Sequence, residues 1–313
     1  MTTYILKRLL TLFPILFGIS VVVFLILHLV PGDPALIMLG TDATDEAVRA
    51  LRVSMGLDKP LPVQYVNWIS DILRGDFGTS IRTGEPILPE ILERFAVTLQ
   101  LTLLAAVIGW SLAVPIGILS AVKTGSALDL SARLFALLGI SVPNFAIGTL
   151  LLLVISLYFG WFPPVEFIHL WENPAQSLQK LILPAITLGV VMAAGVMRMT
   201  RSAFLETLSQ EFIRTARAKG NPESVVLFGH AFRNAAIPIV TVMGMQFGNL
   251  LGGSVVVERL FSIPGLGQYI LDGIQLRDYP VVQGGVLFVA LVFVLVNLIV
   301  DLVYTMIDPR IEY

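Results

Sequence analysis

The sequence predicts an all-α integral membrane protein, and three observations carry that prediction. Hydrophobic residues make up 56% of the 313-residue chain and charged residues only 13%, about half the charged share of a typical soluble domain. Mean hydropathy is +0.85. Six stretches lack Asp, Glu, Lys and Arg over close to the roughly 20 residues that a helix needs to cross a bilayer. A formal charge of −2 leaves no global basic field for nucleic acid. With no Cys in the chain, disulfides, thiolate metal sites and cysteine nucleophiles are excluded.

The first stretch, 9–32, follows Lys7 and Arg8. It is too long for the core of a signal peptide and ends in the turn-forming Pro31-Gly32-Asp33-Pro34, so it reads as a retained helix. An outer segment, 31–94, comes next and carries two amphipathic pieces. One covers 42–55 and stops at Gly56; the other covers 64–73 and stops near Gly75. This segment can serve as a cap over the helix ends or as a docking surface, and the pattern leaves both open. The second and third spans are 95–122 and 134–165. The fourth, 181–197, is short but still about 25 Å of helix at 1.5 Å per residue. The fifth and sixth are 234–257 and 279–300, and Pro115, Pro143 and Pro184 are candidate kinks.

Orientation follows from the basic residues. With the N-terminus inside, the inner segments hold eleven Lys and Arg against six Asp and Glu, and the outer segments nine against fifteen. Both termini are therefore expected on the cytoplasmic side.

The inner connection, 198–233, is more than a link. Phe204, Leu208, Phe212 and Ala216 recur every four residues, as on one helix face. Gly220 is a helix stop, Asn221 an N-cap and Pro222 a first helical residue. Val225, Phe228, Gly229 and Phe232 form a second apolar face. A helix–turn–helix with apolar stripes and basic flanks suits the membrane interface or a groove on a cytosolic partner. Internal packing is the third reading, and a DNA-binding pair has too little basic charge behind it.

The chain carries no Gly-x-x-x-x-Gly-Lys-Ser/Thr phosphate loop, no His-Glu-x-x-His and no Gly-x-Ser-x-Gly elbow. No residue is assigned a catalytic or metal-binding role. Asn144, Gln246, Asn249 and Asn297 are neutral polar residues within spans, able to line a polar path or to tie helices together. Asp301 ends the last span and reads as a structural partner. Gly244, Gly248 and Gly252 form a small-residue stripe that lets a neighbouring helix approach closely.

Taken in order, many short fragments resemble one family. They include Pro31-Gly32-Asp33-Pro34-Ala35, Gly75-Asp76-Phe77-Gly78, Leu183-Pro184-Ala185, Arg214-Thr215-Ala216-Arg217-Ala218-Lys219-Gly220, His230-Ala231-Phe232-Arg233-Asn234-Ala235, Pro264-Gly265-Leu266-Gly267, Arg277-Asp278-Tyr279-Pro280 and Asp308-Pro309-Arg310. Nearly end to end, the chain resembles the permease subunits of ATP-binding-cassette (ABC) importers, in the peptide/nickel branch. The inner loop is similar to the segment by which such permeases dock an ATPase. Arg214 and Thr215 stand where the wider superfamily has Glu and Ala, Ala216 and Gly220 match it, and Arg233 stands where it has a later Pro.

The resemblance implies a six-helix type I importer permease with a helical periplasmic segment after the first helix and a coupling helix between the fourth and fifth. It implies an N-terminal part, 1–96, a permease core, 97–307, holding the coupling loop 200–233, and a cytoplasmic tail, 308–313. Arg214, Thr215, Ala216, Lys219, Gly220, His230 and Arg233 would couple to the ATPase. The chain would bind no cofactor and be no enzyme alone, since ATP and Mg are used by two partner ATPases. A second, homologous permease (forming a heterodimer), an external solute-binding protein and membrane lipid complete its partners, in the bacterial cytoplasmic membrane. Small peptides are the expected cargo. A nickel or metal-chelate permease of the same family is the alternative, and an ATPase-independent secondary transporter the alternative from another class.

Overall fold

In the computed structural model, residues 2–29, 35–36, 44–54 and 56–307 are described. The Pro31–Pro34 turn and the Asp308-Pro309-Arg310 tail of the sequence reading lie outside them. Among the described residues every regular element is helical, with a single isolated antiparallel bridge, Thr79 to Pro86. It divides into two compact units: Met1–Val97 with Pro264–Val294, and Thr98–Ile263 with Leu295–Tyr313.

The first unit opens with α1 (Thr2–Leu29), α2 (Asp45–Ser54) and α3 (Leu61–Leu73). The two short helices end close to where the glycines predicted, because Gly56 (φ +68) and Gly75 (φ +86) take the left-handed backbone that costs a residue with a Cβ. α3 lies on α1 through Tyr65, whose hydroxyl shares a 2.8 Å hydrogen bond with Ser20. The Phe24 ring stands 5.4 Å from Tyr65 and 5.9 Å from Trp68. The unit also holds the start of α4 (Ile87–Val122), then α11 (Leu266–Leu276) and most of α12 (Tyr279–Ile307). Ile87, Ile91, Leu266 and Val281 form its buried core. The loop before α4 is pinned by Asp278, which accepts from the Ser80 hydroxyl at 2.5 Å and the Ile81 amide at 3.2 Å. Burial, reinforced by the charges of Glu90 and Asp278, pushes the Tyr269 hydroxyl on α11 up to about 12.

The second unit contains the rest of α4, α5 (Ala127–Ser141), α6 (Asn144–Phe159), α7 (Pro174–Leu208), α8 (Glu211–Ala218), α9 (Phe232–Gly253) and α10 (Val255–Leu260). α7 is its centre. Small residues make this burial possible, because they let backbones meet. A Cβ built on Gly109 of α4 would lie 2.8 Å from the Gly189 carbonyl, and one on Gly139 of α5 2.7 Å from the Ala194 Cβ. Of the predicted stripe on the fifth span, Gly244 is used in the same way, packed directly on Val300.

Among the described residues, four helical segments are long and apolar enough to cross a membrane: α4, α7, Val225–Gly252 and Tyr279–Tyr304. α1 holds a shorter apolar stretch, Leu12–Leu25. The third predicted span is not one helix. It is the pair α5 and α6, bent by 106°, which makes five spans if counted as one. The cause is Pro143. A residue before proline is driven out of the helical region, and Val142 sits at φ −90, ψ 126. α6 then restarts at Asn144, whose Oδ1 accepts the Phe145 amide at 2.8 Å.

Candidate coupling surface

α7 ends at Leu208, and the chain re-enters a helix only after Ser209 and Gln210. The four-residue repeat of the sequence therefore does not run along one continuous face. Phe204 and Ala216 are buried as expected, but Phe212 is 42% exposed and its neighbour Ile213 is fully buried. The break at Gln210 resets the helical phase by one position.

α8 closes on Gly220, whose φ of +78 turns the chain back and whose amide donates to the Arg217 carbonyl at 2.9 Å. Asn221 was expected to cap the helix that follows. Its side-chain amide instead donates to the Ala216 carbonyl at 3.1 Å, closing the helix that precedes. A π-helical turn, Val225–Ala231, then leads without a break into α9. Such turns add a residue to the helix and shift its faces, so Val226 and Ala231 point inward while Val225, Phe228 and Phe232 remain exposed. Beneath the two limbs, Phe204, Ile213, Ala216, Val226, Ala231, Ala235 and Ile239 make one continuous core with α4, α5 and α7.

One ion pair closes the turn on the outside. Arg217 donates to both carboxylate oxygens of Glu223, at 2.6 and 3.2 Å. This fork holds the Glu223 carboxyl below its usual range and the Arg217 guanidinium above its own. Arg214 pairs with Glu211 at 2.8 Å, and the Thr215 hydroxyl donates to the Glu211 carbonyl at 3.0 Å. Arg214, Thr215, Lys219 and Gly220 are exposed on α8 and its turn, whereas Ala216 is buried and supports the core. His230 is half-buried at the end of the π-helical turn, its carbonyl accepting from Asn234 at 2.8 Å. Arg233 is exposed at the start of α9. The result is an apolar and cationic surface, with Phe212, Phe228 and Phe232 among arginines and lysine, on a base that buries its opposite face.

The residues expected along a path are less unified. Asn144 spends its oxygen on its own helix start. Gln246 lies directly over Gly195 of α7, with its Oε1 buried and unpartnered among the described residues. Asn249 is exposed and Asn297 half-buried.

Reasoning from the sequence missed a buried ionic tie beside the inner loop. Asp129 at the start of α5 is 1% exposed and accepts from Arg201 of α7 at 2.7 and 3.1 Å. The Ser120 hydroxyl of α4 donates to it at 2.6 Å and the Gly125 amide at 3.0 Å. Three helices are thus locked at one carboxylate. The Ser126-x-x-Asp129 spacing marks a helix start, and the Ser126 hydroxyl does accept the Asp129 amide, but the partner on α7 lies 72 residues away.

These features define a multi-span helical membrane protein that carries an exposed apolar and cationic turn on a buried base. Residues 113–313 match the family described as binding-protein-dependent transport system inner membrane component, and residues 1–102 match that family's N-terminal component. The chain is 45% identical over 313 residues to the glutathione transport system permease protein GsiC of Salmonella typhimurium strain LT2 and to that of Escherichia coli strain K12, covering 100% of each. A crystal structure of an amino acid ABC transporter with histidines shares the fold at a TM-score of 0.50 and 17% identity, over 71% of this chain and 94% of that one. The chain belongs to the binding-protein-dependent transport system inner membrane component family, as a permease subunit of an ABC importer of the peptide/nickel branch. Such an importer works with a solute-binding protein and ATPase subunits.

Proposed function

We propose that this permease imports small peptides of the glutathione class, forming half of the path while a second homologous permease forms the other half. The observation that carries the coupling mechanism is the exposed apolar and cationic face of α8 and the π-helical turn on its buried base. Arg214, Thr215, Ala216, Lys219, Gly220, His230 and Arg233 are the coupling residues in this reading. Phe212 and Phe228 join them because they are exposed beside them. The cargo class rests on the 45% identity to GsiC, a glutathione permease by name.

In this mechanism the ATPases close on ATP and push the α8 turn. The push reaches α7 through the shared core, and the spans rotate to open the path to the other side. The chain itself makes or breaks no covalent bond. α1 and the α5–α6 pair complete six spans, with both termini in the cytoplasm. The N-terminal part, 1–96, precedes the permease core, 97–307. Asn144, Gln246, Asn249 and Asn297 are candidate path residues.

The test is co-purification from gently solubilised membranes. The tagged chain should bring down two kinds of partner, ATPase and second permease. Phe228→Asp should lose the ATPase while keeping the second permease, and should abolish glutathione uptake. Recovery of the chain alone, in several mild detergents and with an ATP analogue present, would overturn the coupling reading.

A further inference from the structure

Beside the buried tie, α5 and α7 enclose a half-open cavity of about 440 Å³, and its lining changes character along its length. At one end stand Arg133, Arg198 and Arg201; at the other are Leu137, Ile140 and Met197. The change falls where the charge-free stretches begin on both helices, because Arg133 directly precedes 134–165 and Arg198 directly follows 181–197. The charged end therefore lies at headgroup depth on the side of the coupling turn, and the apolar end points toward the hydrocarbon.

The charges do not cancel. Asp129 is the one carboxylate at this cluster among the described residues, and both its oxygens are engaged by Arg201. Arg133 approaches the same carboxylate only at 3.6 Å and is 52% exposed. Arg198 is exposed and pairs with no carboxylate among the described residues. Leu137 and Ile140 are 62% and 48% exposed, so the apolar wall has no protein cover within this chain.

We infer that this groove holds an anionic phospholipid of the inner leaflet. Its phosphate would sit between Arg133 and Arg198, and an acyl chain would lie along Leu137 and Ile140. Charge complementarity selects the occupant: three arginines face one carboxylate here, and a zwitterionic lipid or an apolar partner helix satisfies the wall but brings no net negative charge to offset the excess. Arg201 is held by Asp129 and Ser120 as the rigid floor of the site. Because Asp129, Arg201 and the lipid meet at the joint between α5 and α7, an occupied groove would brace the base that carries the coupling turn. The inference goes beyond the importer reading and uses from it only the placement of the coupling turn on the cytoplasmic side.

The test uses the intact importer complex in nanodiscs of phosphatidylcholine with 20 mol% phosphatidylglycerol (about one lipid in five), released and weighed by native mass spectrometry. Phosphatidylglycerol should be retained above its bulk fraction. Arg133→Gln and Arg198→Gln should each lower that enrichment about fivefold, the loss expected for one cation at an anionic surface. Leu137→Trp, which fills the groove and keeps both arginines, should lower it as well. ATPase co-purification, read in the same samples, reports separately on the importer assignment. Equal retention of phosphatidylcholine, unchanged enrichment in the double arginine variant, or a second permease cross-linked through position 137 would each overturn the proposal.

Discussion

A single carboxylate shows how much one residue can hold. Asp129 receives four hydrogen bonds, from Arg201 twice, Ser120 and Gly125, at a position 1% exposed. Breaking a buried ion pair by removing one partner costs about 3–5 kcal/mol, because the remaining charge stays buried without compensation. Asp129→Asn should therefore lower the detergent melting temperature and membrane yield sharply. The paired change Asp129→Leu with Arg201→Met should recover part of the loss, since it leaves no orphan charge. Glu223 is the opposite case: an exposed acid whose pair with Arg217 organises a turn. Its carboxyl titrates below its ordinary range in the folded turn. The stabilisation is thus present above that ordinary range and is lost as pH falls through the lowered value. Protection against hydrogen exchange in 211–231 should hold from pH 7 down to about 4.5 and then fall as the pH drops further, and Glu223→Gln should flatten that response.

The same economy appears at the level of elements. α7 can be central because Gly109, Gly189 and Gly139 remove the atoms that would hold helices apart. A Cβ on Gly189 would lie 2.9 Å from the Ala105 carbonyl, a backbone atom that cannot swing aside. Gly189→Val should therefore destabilise the chain by about 1–3 kcal/mol through overpacking, measured as a lower melting temperature of the purified complex. Gly220 differs, because nothing lies within 4 Å of its Cβ position and only its φ of +78 resists substitution. Both glycines matter, one for space and one for backbone angle. In the coupling segment, Gln210 and the π-helical turn each shift the phase of a helix face, so Ile213 goes in and Phe212 out.

For the molecule as a whole, orientation can be tested directly because the chain has no Cys. Single Lys219→Cys and Glu85→Cys variants place one thiol on the coupling turn and one on the loop before α4, both at exposed positions. An impermeant maleimide added to intact cells should label position 85 and should reach position 219 only after the membrane is opened. The reverse pattern would invert the proposed topology.

By itself the sequence determined the class of the molecule. Apolar runs, missing charge and the basic bias of the inner segments are one-dimensional properties, because hydrocarbon acts on each helix separately and selects composition span by span. It also placed the inner helix–turn–helix and its stop at Gly220, which depend on neighbours a few residues away. What only the tertiary structure decided involves partners distant along the chain: the Asp129–Arg201 tie, the crossing of Gly109 on Gly189, and the packing of Gly244 on Val300. The bend at Pro143 lies between these cases. Its local cause was visible in the residue pair Val142-Pro143, but the angle of 106° was not. Local backbone preferences state where a helix can stop, and packing among small residues and buried charges selects which of its faces turns inward.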